Sequence, residues 1–294
     1  MTDSMYTAVK LCLHPNRAQQ EFFDTMIEDL RYVYNACLYY LKHVFVHQNG
    51  RICSGFELNR FCGELWRRNM WLHAIYNNSM FETAARARQA FQKCRENAKK
   101  RRRDTGCRQY PRYRGLGQFT SFGYLSNRAF RIYDADDHGK KKRYVEMGKM
   151  PGRVRARNMQ DIIGTPKTLR IHRKDYGTHF RYYCSSSIEL PEGYEEGSME
   201  FEELLGMKKR EPIGIDLGLG HVAYFSDGTV FDNPRTYARE IDEFRRLSEK
   251  YSRSIGTPGE KKARSKLVHK YERTQNIKTE LRNRIVNTAV YGHD

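Results

Sequence analysis

The chain has 294 residues, a length that suits about two domains, and a formal net charge of +18. That surplus disfavours basic partners and makes nucleic acid the expected one, ahead of an anionic membrane surface. Hydrophobic residues make up 39% of the chain, enough for packed cores, yet no apolar run is long enough to span a bilayer.

Seven cysteines are scattered with no CxxC pair, so neither a zinc site nor a disulfide framework is expected. The opening MTDSMYTAVKLCLHP has no basic stretch followed by an apolar core, which argues against export. A reducing, intracellular setting fits both observations.

Met5 to Leu13 partly alternates and predicts a strand, broken by His14-Pro15-Asn16. A long helix follows from about Arg17, with Phe22, Phe23, Met26, Ile27, Leu30, Val33, Tyr34, Cys37, Leu38 and Leu41 on one apolar face. Arg31 lies mid-helix, where it serves either a solvated edge or a nucleic-acid contact. Phe56 to Trp66 predicts a second helix, continued after a break by Trp71 to Tyr76. Ser79 is the expected cap of a third, whose apolar side includes Met80, Phe81, Ala84, Ala87, Ala90, Phe91 and Cys94.

That third helix ends in a run of cations, among them Lys99, Lys100, Arg101, Arg102 and Arg103. The next loop adds Arg108, Arg112 and Arg114, interleaved with Tyr110 and Tyr113. So many like charges repel one another unless a polyanion neutralises them, so phosphate contact explains the cluster better than a solvated helix end. The tyrosines and arginines are also suited to stacking on unpaired bases.

From Phe119 the periodicity turns to short strands separated by glycines, which predicts a small barrel running to Leu190. Lys140 to Arg143, with Lys141 and Lys142 among them, then Lys149, Arg153, Arg155 and Arg157, give it a basic surface. Glu189 to Glu203 is acidic without Lys or Arg and reads as a linker or an exposed insertion.

Glu211 to Pro234 predicts three strands, with Asp216 near the end of the first, a Gly218–Gly220 turn, and a hairpin turn at Asp227-Gly228. A carboxylate in that setting suits an RNase H-like meander that holds a divalent metal, although two-metal chemistry needs several convergent carboxylates. A helical hairpin follows: Tyr237 to Tyr251, a break at Ser252 to Gly259, and Glu260 to about Val290. Arg245, Arg246, Lys261 and Lys262 crowd its distal end, placed to touch a nucleic-acid backbone.

Four stretches together carry a family resemblance: VKLCLHPNRAQQEFFDTMIEDLRYVYNACLYY (9–40), YPRYRGLGQFTSFGY (110–124), MGKMPGRVRAR (147–157), and the segment from IGIDLGLGHVAYFSDG (213–228) through KKARSKLVHKYERTQNIKTELRNRIVN (261–287). In this order they resemble the transposon-encoded TnpB (OrfB) proteins of IS200/IS605 elements, relatives of the Cas12 nucleases. The resemblance implies an α+β architecture: a small wedge-like β-barrel (1–14 and 117–191) interrupted by a helical recognition domain (15–116). An acidic linker (192–210) and a partial RuvC/RNase H-like domain with a helical hairpin (211–294) would complete it.

The same resemblance implies a guide RNA as partner and target DNA read by base pairing beside a short flanking motif. It implies Asp216 as the first catalytic carboxylate and a cytoplasmic, nucleoid-associated setting in a prokaryote. Family members carry a catalytic glutamate, a four-cysteine zinc ribbon and a final aspartate beyond the positions matched here. The expectation is therefore guide-RNA-associated DNA binding without autonomous cleavage, and magnesium only where a complete centre is assembled. Two alternatives stand beside it. One is a fragment or subunit of a magnesium-dependent RNA-guided endonuclease, completed by another chain. The other is a non-enzymatic RNA-binding remnant.

Overall fold

The computed structural model describes residues 5–100, 110–157, 162–191 and 213–291. Arg101, Arg102, Arg103, Arg108 and the acidic stretch 192–210 lie outside them. The chain divides into two compact units, Met1–Lys174 with Arg181–Tyr194, and Asp175–Phe180 with Glu195–Asp294.

The first unit opens with strand β1 (Tyr6–His14) and helix α1 (Arg17–His47). Pro15 stops the strand and Asn16 caps the helix in a capping box with Gln19. The Gln19 amide also donates to the carbonyls of Pro151 and Arg153, at 3.1 and 3.0 Å, so the cap fixes the helix start to a turn in the sheet. Every residue of the expected apolar face is buried except Phe22, which is half-buried. Helix α2 (Gly55–Arg68) carries its own capping box, Ser54 with Glu57.

Two local expectations are corrected. Residues 70–74 form a 3-10 turn (Met70–Ala74) rather than a continued α-helix. Helix α3 (Asn77–Lys100) starts before Ser79, so Ser79 is buried in its first turn and its hydroxyl has no hydrogen-bond partner instead of capping.

Six more strands follow: β2 (Ser121–Tyr124), β3 (Phe130–Asp137), β4 (Lys140–Met147), β5 (Val154–Arg157), β6 (Thr165–Asp175) and β7 (Phe180–Glu189). They join β1 in one seven-stranded sheet of order β2-β6-β7-β1-β5-β4-β3. The β3–β4 hairpin turns through His138 and Gly139, both at positive φ (56° and 74°), the backbone a tight two-residue turn requires.

The sheet curls as a half-barrel rather than closing as the expected barrel. Among the described residues no backbone pairing joins the end strands β2 and β3. The Tyr124 hydroxyl at the end of β2 instead donates to the Gly148 carbonyl just after β4, at 3.2 Å. All four residues of β2 are buried, which leaves this short strand a covered edge. One continuous core joins the sheet to the helices, with Phe23 of α1 against Phe122 and Tyr182 at 6.2 and 5.2 Å.

The second unit contains the expected three-stranded meander, β10-β9-β8: β8 (Ile215–Asp216), β9 (His221–Phe225) and β10 (Val230–Asp232). Gly228 at φ 91° makes the turn between β9 and β10, and Asp227 accepts from the Thr229 amide at 2.8 Å. Ala223, Phe225 and Phe231 on one face pack against Leu281, Ile285 and Ala289. Those residues belong to the second of two helices, α4 (Thr236–Ser254) and α5 (Glu260–Tyr291). Phe244 and Tyr271 meet edge-on at 6.3 Å between the two helices. Lys270 of α5 bridges Glu240, at 3.0 Å, and Glu243 of α4.

The turn Asp175–Phe180 belongs to this unit as well. Asp175 pairs with Arg264 at 2.5 Å, and the ring of the buried Tyr176 lies 6.0 Å from that of His269. Gly177 is required here twice over: its φ is +85°, and a Cβ would stand 2.6 Å from the Ser265 nitrogen.

Candidate nucleic-acid interface

A cleft of 580 Å³ in the first unit gathers cations from two elements and a loop, and an aromatic ring from a third element. Arg86, Gln89 and Lys93 recur at helical spacing on α3 and share a face. Tyr34 comes from α1, Arg170 from β6, and Arg114, Gln118, Phe119 and Thr120 from the segment before β2.

That segment is pinned rather than draped. Asn35 of α1 forms a reciprocal pair with Arg114, its amide donating to the carbonyl at 2.9 Å and its oxygen accepting from the Arg114 amide at 2.8 Å. Arg31 donates to the same carbonyl at 3.2 Å and is itself held by Glu28 at 2.7 Å. Gln118 then accepts from the Gly115 amide at 3.1 Å. These bonds set the Arg114 guanidinium over the Tyr34 ring, 5.9 Å from its centroid.

The floor is aromatic and the ion pairing beneath it is lopsided. Phe119 is buried against Tyr34, with ring centroids 5.6 Å apart, and Arg86 lies over Phe119 at 4.8 Å. Arg86 donates to the Ser121 carbonyl at 2.8 Å and to its hydroxyl at 3.2 Å. Glu82, only 2% exposed, accepts from Arg170 at 2.6 Å and lies 3.7 Å from Arg86.

Four cations thus line the cleft, and Glu82 pairs with only two of them, Arg86 and Arg170. Burial pulls the Arg86 pKa below the usual arginine range; Glu82 opposes this, and Arg170 and Arg114 add like-charge repulsion. Crowded guanidinium groups over aromatic rings are relieved by a phosphate and a base, which bring negative charge and a flat face together.

The other expected contact residues fall into three sets. Lys99 and Lys100 in the last turn of α3 are exposed, as are Arg112 and Tyr113. Arg155 and Arg157 alternate with the buried Val154 and Ala156, which puts both on the exposed face of β5. In the second unit Arg245, Arg246, Lys261 and Lys262 are exposed.

Several others are engaged within the protein. Tyr110 is half-buried, its ring 6.2 Å from Phe45 and 5.9 Å from Phe91, under Lys42 and Arg95. Lys142 pairs with Asp137 at 2.5 Å and Lys141 with Asp134 at 3.5 Å. Arg143, read with them as surface, is 4% exposed and bonded to Asp134 at 2.7 Å. Lys149 donates to the carbonyls of His73 and Ile75, and Arg153 lies over the Tyr144 ring at 4.1 Å.

Asp216 is exposed at the end of β8. It pairs in register with Tyr224, which pairs in turn with Val230, so these three form a row on the sheet face away from Phe225. His221 and Asp232 form a separate pair at 2.7 Å. Among the described residues no group of three or more His, Cys, Asp or Glu is placed to hold a metal ion. The donors among the described residues do not fit a protein-built two-metal centre, which needs several convergent carboxylates.

Arg86 and Arg170 are the residues that sequence reasoning missed. The α3 pattern, with Arg86, Gln89 and Lys93 opposite the apolar positions, pointed to the first; nothing local signals that Arg170 joins it.

Residues 1–49 match a family model of the OrfB/IS605 type, described as a helix-turn-helix domain. Here the described part of that stretch folds as strand β1 and the single helix α1 rather than as two helices about a turn. No curated protein matches the chain. Among solved structures, the cryo-EM structure of the Cas12f1-sgRNA-target DNA complex contains a chain similar to this one. Identity is 10%, the match covers 97% of this chain and 78% of that one, and the TM-score is 0.45. Among the described residues no helix is long and apolar enough to cross a membrane.

Proposed function

We propose that the protein binds nucleic acid in the manner of the OrfB/TnpB class, holding a guide RNA and, through it, a target DNA. The observation that carries this reading is the cleft lined by Arg86, Lys93, Arg114 and Arg170 with Tyr34 and Phe119, in which Glu82 balances only Arg86 and Arg170. The surplus of positive charge is built into the fold there, beyond the net charge of +18.

The test is recovery and sequencing of RNA that copurifies with the protein, followed by salt titration of the purified complex. One defined RNA species should dominate, and it should bind more tightly than an unrelated RNA of equal length at moderate salt. The double variant Lys93→Gln/Arg114→Gln should flatten the slope of log affinity against log salt by about 0.7 for each phosphate no longer neutralised. Equal affinity for the recovered and unrelated RNA would remove the guide; an unchanged slope would remove the cleft.

A second reading has its own motive, the exposed Asp216 at a strand end followed by a glycine turn. In it the chain supplies one ligand of a magnesium-dependent nuclease whose other carboxylates come from another chain or segment. Magnesium would there activate water beside a phosphodiester. Asp216→Ala should leave RNA affinity unchanged. Magnesium-dependent cleavage of DNA by protein plus guide, abolished in that variant, would establish this second reading.

A further inference from the structure

Two large aromatic side chains of the first unit are exposed in contact with each other, and the turn that carries one of them is tied down at both ends. Trp71 is 45% exposed and Tyr32 42%, with their rings edge-to-face at 5.1 Å. Met70, next in sequence, is 75% exposed. The 3-10 turn that carries Trp71 is fixed at both ends. His73 stacks on Trp66 at 3.8 Å, Asn69 donates to the Leu65 carbonyl at 2.8 Å, and the Lys149 ammonium is bonded to the carbonyls of His73 and Ile75.

A half-exposed indole sacrifices burial, and fixing it in place costs entropy as well. Both costs are offset if a flat apolar group covers the exposed ring. The patch is two rings and one thioether, far below the roughly 800 Å² per partner of a stable protein interface. One nucleobase needs no more than this.

The charges nearby fit the same occupant. Arg67 and Arg68, in the last turn of α2, are exposed and make no ion pair among the described residues. Glu28, on the adjoining stretch of α1, is committed to Arg31 at 2.7 Å and Arg173 at 3.7 Å.

We propose that Trp71, braced by Tyr32, is a stacking platform for an unpaired base of single-stranded nucleic acid, with Arg67 and Arg68 meeting the adjoining phosphates. This rests on the nucleic-acid reading above and adds a second point of attachment, separate from the cationic cleft. Stacking on a ring face tolerates any base, so the platform contributes affinity for unpaired strand rather than sequence choice.

The chain has only two tryptophans, which makes the test direct. In Trp66→Phe, Trp71 is the sole indole. Titration with an oligouridylate of about ten nucleotides should quench its emission, saturating together with the fluorescence anisotropy of the labelled RNA. Trp71→Ala should weaken that binding about tenfold and Trp71→Phe should keep most of it. A duplex of the same length should not quench. If Trp66→Phe fails to fold, the difference in emission between wild type and Trp71→Phe gives the same reading.

Undiminished RNA binding in Trp71→Ala, with no quenching of Trp71 emission in Trp66→Phe, overturns the platform and leaves the nucleic-acid reading standing. Equal quenching by the duplex overturns it too. So does conversion of a dimer to a monomer in Trp71→Ala with RNA affinity unchanged, which would assign the patch to a second copy of the chain. If wild type binds no RNA even at low salt, both readings fall together.

Discussion

Glu82→Gln separates the two things the buried carboxylate does. It anchors Arg170 at 2.6 Å and stands 3.7 Å from Arg86, and it is 2% exposed. Gln keeps the shape and an oxygen for Arg170 but turns an amide donor toward Arg86 and removes the negative charge. Charged hydrogen bonds of this kind contribute roughly 1.5–3 kcal/mol, and breaking a fully buried ion pair costs more. Arg170 is partly solvated, with its side chain 38% exposed, and Arg86 keeps its bonds to Ser121, so the loss should be about 2 kcal/mol. For a unit of this size that lowers Tm by roughly 4–8 °C.

The same change leaves the cleft one charge more positive. A phosphate several ångströms away should then bind on the order of three- to tenfold more tightly at low salt, an effect fading as the Debye length shrinks. Stability and affinity therefore move in opposite directions. Thermal unfolding without RNA and anisotropy titration with RNA, at two salt concentrations, read both. A variant that is less stable and binds no more tightly at low salt would refute the cleft as a polyanion site, because the anchor would be gone with no electrostatic consequence.

Burial, then the neighbouring Glu28, raise the Asp29 carboxyl to about 6. A folded-state value above the unfolded one means that the protonated form supports the fold, a contribution that disappears as pH rises through about 6. Asp29→Asn should accordingly stabilise by about 1 kcal/mol at pH 7.5, and the gain should fade toward pH 4, as followed by urea unfolding across that range. Conversely, His172 is pulled below its ordinary value by burial, then by Arg170, Lys10 and Arg86. Its neutral form supports the fold, so that contribution is present above about 6.5 and declines as pH falls; relative to wild type, His172→Gln should flatten that acid-side decline. Gly177→Val combines a φ of +85° with a Cβ 2.6 Å from the Ser265 nitrogen, and should cost the second unit about 2–3 kcal/mol, seen as faster proteolysis within α5.

Helix α1 was legible residue by residue because its apolar positions repeat every three or four residues and the His14-Pro15-Asn16 break marks where it starts. The Asp227-Gly228 turn was legible for a similar reason: the conformation depends on residues adjacent in the chain. Ser79 was not, because a cap and a buried first-turn serine look alike until the packing of α3 is known. Nor was the end state of the sheet. Strand periodicity predicts which residues face inward, but whether β2 meets β3 depends on curvature accumulated over seven strands.

Sequence alone determined that the chain carries far more positive than negative charge, and where that charge is densest. Only the tertiary structure decided which of those groups remain available. Arg143, Lys149 and Tyr110 lie in dense stretches yet are engaged by Asp134, two carbonyls and an aromatic cluster. Arg86 and Arg170 lie apart in sequence, and the fold brings them together around Glu82. Charge density is a property of neighbours along the chain. The field at a site is a sum over neighbours in space, and it takes α1, α3, β6 and the Arg114 segment folded together to create it.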